Sequence, residues 1–131
     1  MGSFGNYAEN KILDHIVGKT AFTMPTAYIA LSTADPTDAG TGLAEPSGNN
    51  YSRKQTAGAD WNAAASGSIA NATDQSFPEA SGSWGTITHF AIFDAASAGN
   101  MLAHGSLSAS KAVGAGDVLK FAAGNLTLTL D

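Results

Sequence analysis

Three histidines, eleven carboxylates and a scatter of serines are the side chains on which any reactivity would rest. His89 and His104 fall in two β-prone runs joined by one Gly/Ala/Ser-rich break, so a hairpin would bring them near each other. Two imidazoles and a carboxylate such as Asp94 could hold a metal. No ligand spacing singles these residues out, and each reads more simply as a half-buried sheet residue. His15 falls on the polar side of a helical segment. Asp35, Asp38 and Glu45 invite a calcium reading, because calcium takes several oxygens in a tight array. The string ADPTDAGTG lacks the alternate-position acids and distal Glu of a calcium loop, so its acids read as setting Asx-type turns. No serine sits in a Gly-x-Ser-x-Gly elbow. No Gly-rich loop ends in Lys-Ser/Thr to cradle a phosphate. The acids offer no distinguished pair for acid–base work. The expectation is therefore a protein that binds and builds, with no enzyme activity and no metal or cofactor.

Tyr51, Trp61 and Trp84 would suit a stacking platform for sugar rings. Large aromatics more often fill a core or an interface, and that reading is the simpler one. Charged residues are only 13% of the 131-residue chain, about half the usual share of roughly 25%. A chain so poor in charge suits a surface that is covered by partners. The formal net charge is −5 and only Arg53 and Lys54 are adjacent bases, which argues against a nucleic-acid groove. There is no cysteine, so disulfides and thiolate metal sites are excluded. No apolar run approaches the roughly 20 residues of a membrane span. MGSFGNYAENK lacks the basic start and apolar stretch of a signal peptide, so synthesis in a cytoplasm is expected.

The elements that must carry these residues are mostly strands. One helix is predicted over residues 6–17, with Asn6 as N-cap, Glu9 in its first turn and Gly18 as the left-handed C-terminal cap. Ala8, Ile12, Leu13, Ile16 and Val17 form its apolar stripe, which must dock on the chain's own sheet or on a neighbour. Strands are predicted over residues 27–31, 51–57, 86–93 and 101–107, with an edge at Phe77-Pro78. In the strand over 86–93, alternation puts Ile87, His89, Ala91 and Phe93 on one face and Thr88, Phe90 and Ile92 on the other. Residues 118–122 and 126–130 are expected to pair as a hairpin about Gly124-Asn125. The stretch from Ser32 to Asn50 is the longest break, and a loop of that length is usually functional or mobile. Roughly seven strands suit a mainly β domain over residues 1–131, an antiparallel β-sandwich of jelly-roll type with one short N-terminal α-helix.

Four stretches, NYAENKILDHIVG, YIALSTADPTDAGTG, WGTITHFAIFDAASAGNMLAHGSL and GDVLKFAAGNLTLTLD, carry a resemblance to the small structural proteins of tailed bacteriophages, of tail-fibre-like or capsid-decoration type. The resemblance covers most of the chain and is least distinctive from Ala59 to Glu79. It implies a virion protein made in the host cytoplasm, with other phage structural proteins as partners and no catalytic residues.

The chain has no long repeat or heptad run to build a shaft. Together these features favour a capsid decoration or cement subunit, self-associating and spreading over neighbouring shell proteins. The alternatives are a tail or tail-fibre component, or a sugar-binding module for receptor recognition. The expected interface residues are Ile12, Leu13, Ile16 and Val17 of the helix and Asp35, Pro36 and Asp38 of the long loop, with no nucleic-acid or membrane contact.

Overall fold

The computed structural model of the protein describes residues 2–130. The chain is mainly β with one short helix, as expected. In chain order the elements are β1 (Gly2–Phe4), α1 (Asn6–Ile16), β2 (Tyr28–Ser32), β3 (Lys54–Gln55), a 3-10 turn (Gly58–Asp60), β4 (Ser68–Ala70), β5 (Gln75–Ser76), β6 (Gly85–Phe93), β7 (Met101–Val113), β8 (Lys120–Phe121) and β9 (Thr127–Thr129). Seven strands form one sheet in the order β3-β2-β6-β7-β1-β9-β4, and β5 and β8 form a second, two-stranded sheet. This arrangement is compatible with a sandwich, although the second layer is small.

Burial explains why the sheet has two different faces. Ile29 and Leu31 of β2, with Ile87, Phe90 and Ile92 of β6, point into the main core, where Phe77, Trp84, Leu119, Phe121 and Leu126 close over them. Ala30, Ala91, Phe93 and Met101 face the other way and pack with Leu43 from the long loop. Strict alternation would put Ile87 on the face of His89 and Ala91. A register shift between Ile87 and His89 reverses the pleat there and sends Ile87 into the main core.

Two strand expectations are corrected. Residues 51–57 give only the two-residue β3, which pairs with Tyr28 and Ile29 of β2. The last two strands do not pair with each other: β8 pairs with β5, and β9 pairs with β4 and β1. A turn does form, with the Asn125 N–H donating to Ala122 O at 3.0 Å, but the strands it joins diverge to different sheets. The 101–107 strand runs on to Val113 as β7 and pairs antiparallel with β6, as the expected hairpin requires.

One inner strand of the sheet, β1, carries no strand signal in the sequence. β1 sits between β7, to which it is antiparallel, and β9, to which it is parallel. Gly2 is needed there for space: a Cβ would lie 2.8 Å from Phe90 Cζ and 2.9 Å from the His104 carbonyl oxygen.

Candidate functional site

Helix α1 follows β1 directly. Its N-cap is Gly5 in extended conformation, not Asn6, and no side chain caps it. Tertiary contacts supply the missing acceptors instead: Gly5 N–H donates to Leu102 O at 3.0 Å and Asn6 N–H to Asp38 O at 2.9 Å. The far end matches expectation. Gly18 takes φ +76°, its N–H donates to His15 O, and Lys19 N–H reaches back to Asp14 O at 2.9 Å, which is the Schellman pattern.

The helix buries only the beginning of its stripe. Ala8 is buried and Ile12 is half-buried. Leu13, Ile16 and Val17 are 62%, 71% and 75% exposed. Ala8 and Ile12 border a recess of about 280 Å³ whose other walls include Phe22, Trp61, Leu102 and Leu128. The segment after the helix runs back along it, since Phe22 meets Tyr7 edge-on at 6.5 Å and its N–H donates to His15 Nδ1 at 3.0 Å. The apolar stripe thus begins inside the chain and emerges into solvent.

The long loop is held at many points. Ser32 Oγ accepts from Ala44 N–H at 3.0 Å, and Thr33 N–H donates to Ala44 O at 3.0 Å, which closes the loop on itself. Asp35 makes the expected Asx turn, accepting from Thr37 N–H at 2.9 Å. Pro36 is fully buried and offers nothing to a neighbour unless the loop opens. Asp38 lies 2.8 Å from His104 Nε2, while its carbonyl takes the helix N–H described above. Farther on, Asn49 accepts from Trp84 Nε1 at 2.9 Å and Asn50 Nδ2 donates to Glu79 O at 2.9 Å.

The strongest polar assembly was not foreseen from the sequence. Arg53 donates to both oxygens of Glu45, at 2.8 and 3.0 Å, and to Ala95 O and Ala98 O. Its guanidinium lies 3.9 Å from the Phe93 ring centre and its side chain is 4% exposed. Tyr51 donates to Glu45 at 2.6 Å and accepts from Leu31 N–H. Burial, followed by the bond to the Glu45 carboxylate, holds the Tyr51 phenol well above its usual range. In the sequence Arg53 is distinguished only by its adjacency to Lys54, and no signal marks it as a buried clamp. Asn71 is a second hidden staple. Its side chain donates to Thr73, Phe121 and Ala122 carbonyls and accepts from Leu126 N–H.

His89 and His104 do line one shallow polar recess, with Ser3, Asp35, Ser106 and Thr129. Asp94 is elsewhere, bonded to Asn100 at 2.7 and 3.0 Å. Glu45 is committed to Arg53 and Tyr51, so it does not join Asp35 and Asp38. Among the described residues no cluster of three or more His, Asp or Glu could hold a metal ion. No described helix is long and apolar enough to cross a membrane. Of the three platform candidates, Trp84 is buried and Tyr51 packs on it edge-on at 5.2 Å, while Trp61 is half-buried against the same core, its Nε1 donating to Thr56 Oγ1 at 3.0 Å.

A family model described as Podophage GP4 fiber I protein gp80 matches residues 3–129. No curated protein matches the chain.

Proposed function

From the premise that the chain belongs to the podophage fibre I protein family, and so has a structural role in the phage virion, we propose that it is a subunit of the tail-fibre apparatus. The family match over nearly the whole chain carries this reading. It replaces the capsid cement as the preferred location. The long loop, which could have reached a neighbouring shell protein, is held to its own domain through Ser32, Asp38, Glu45 and Asn49. A sugar-binding platform finds less support, because Tyr51 and Trp84 are used in packing.

In this reading the protein is non-enzymatic, resides in the virion, and has other tail proteins as partners. It contributes a rigid block rather than a shaft. The test is a phage made without the protein. Difference density from electron microscopy should be missing at the tail, and adsorption to host cells should fall while heat resistance of the capsid is unchanged. Capsids that open at lower temperature, with normal adsorption, would return the cement reading.

A further inference from the structure

We propose that the cleft between β7 and β8 is a binding site for one acidic monosaccharide unit, a hydroxylated ring that carries a carboxylate or a phosphate. One wall of the cleft is an irregularity of β7. Ile87 pairs with Lys111 and His89 with Ser106, so residues 107–110 stand against Thr88 alone. Four residues facing one must leave the ladder, and they bulge out beside the sheet. β8 and the turn after it form the opposite wall. Between the walls lies a recess of about 160 Å³, floored by Phe90 and Phe121, which meet edge-to-face at 6.2 Å. At about 30 Å³ per water, that space suits a single ring.

The rim supplies uncommitted polar groups. Ser106, Ser108 and Asn125 border the cleft. The side chains of Asn49, Asn50, Asn71 and Asn100 all bond within the chain, whereas that of Asn125 has no such partner among the described residues. Lys111 and Lys120 border the same cleft and are exposed, and no carboxylate lines it. In a chain with eleven acids and six bases, two bases without an acid make a local positive site. Asp74 approaches Lys120 Nζ at 3.5 Å, while Lys111 has no ion-pair partner among the described residues. Lys111 stands opposite Ile87, whose side chain enters the main core, so Lys111 leaves the sheet on the side of the cleft. Each feature matches a part of the ligand. The apolar floor takes the C–H face of the ring, the serines and the amide pair with its hydroxyls, and the lysines take its acid. A peptide strand fits worse, because the bulge breaks the regular edge that strand addition needs. An inorganic anion alone would leave the floor unused.

Amide NMR spectra of the full chain, titrated with glucuronate, glucose 6-phosphate, glucose, acetate and inorganic phosphate, test the assignment. Glucuronate or glucose 6-phosphate should saturably shift the amides of residues 106–111 and 120–126, with a dissociation constant on the order of millimolar. The tighter of the two identifies the acid. Glucose should bind about tenfold more weakly or worse, and acetate and inorganic phosphate more weakly still. Lys111→Ala should weaken binding of the acidic sugar roughly tenfold, and Asn125→Ala should weaken it by a smaller factor. Both variants should keep the circular dichroism spectrum of the wild type, since both side chains are exposed. The proposal is overturned by the absence of a saturable shift at these amides, by equal affinity for glucose and its acidic forms, or by binding indifferent to Lys111→Ala. Acetate or inorganic phosphate binding as tightly as the acidic sugars would overturn it too. Binding by the isolated chain is independent of its place in the virion, so this assignment and the tail location can fail separately.

Discussion

Arg53 ties the long loop, through Glu45, to the turn that carries Ala95 and Ala98. Removing one partner of a buried ion pair leaves the other uncompensated, at a cost of roughly 3–5 kcal/mol. Arg53→Ala is expected to lower stability by an amount of that order in urea unfolding. Arg53→Lys should recover little, because an ammonium cannot bridge both Glu45 oxygens while also reaching the Ala95 and Ala98 carbonyls. Its neighbour Tyr51 sets an alkaline limit. Its pKa is raised on folding, so its contribution is complete below the ordinary phenol pKa of about 10 and declines as pH rises beyond it. Tyr51→Phe should flatten that alkaline decline. The acid limit has different owners. The Ala57 N–H and the Thr73 hydroxyl hold Asp60 below the usual carboxylate range. At Asp94 burial pushes upward, but the bonds from Asn100 prevail and lower it. Groups with depressed pKa stabilise above the unfolded value of about 3.9 and lose that contribution as pH falls below it. Melting temperature against pH should therefore fall below about pH 4, and Asp60→Asn should shift the curve at neutral pH more than in acid.

Elements show what sequence patterning conveys and what it leaves out. α1, β2 and β6 were legible because each has its own period or composition, and Gly18 marked the helix end. Gly18→Ala should cost about 1 kcal/mol, since open space surrounds that position and only the left-handed backbone resists a side chain. The N-cap was misassigned because Asn6 is a good capping residue locally, yet the carbonyls of Leu102 and Asp38 reach the helix end first. β1 and β4 were missed because three residues carry no period. The pairing of β8 and β9 went wrong because turn chemistry at Gly124-Asn125 fixes a reversal and not which strand lies alongside. Of the expected interface, the helix residues are presented to solvent, whereas Pro36 is consumed by packing. Asp35 and Asp38 are exposed at 62% and 61% but are tied to the loop and to His104. The buried clamp of Arg53 was illegible because burial of a charge depends on partners far apart in sequence. Gly2→Val should be among the most disruptive single changes, by overpacking against Phe90 and the backbone of β7.

For the molecule as a whole, we propose that residues 1–131 act as one cooperative domain. The main core draws on β2, β6, β7 and the segments around β5, β8 and β9 together, so no part is expected to melt alone. Intrinsic tryptophan fluorescence and far-ultraviolet circular dichroism should report coincident unfolding transitions. The placement of β1 also governs how the molecule is reached from the unfolded chain. Gly2 pairs with Gly105 on one side and Leu128 on the other, so the middle of the sheet cannot close until both late segments have been translated. Closing loops of that length is entropically costly before any contact rewards it. Refolding should thus be slow for a chain of this size, in the range of milliseconds to seconds, and a ribosome-bound chain stalled before β7 should remain open to proteases. The strand made first is thus completed by strands made among the last.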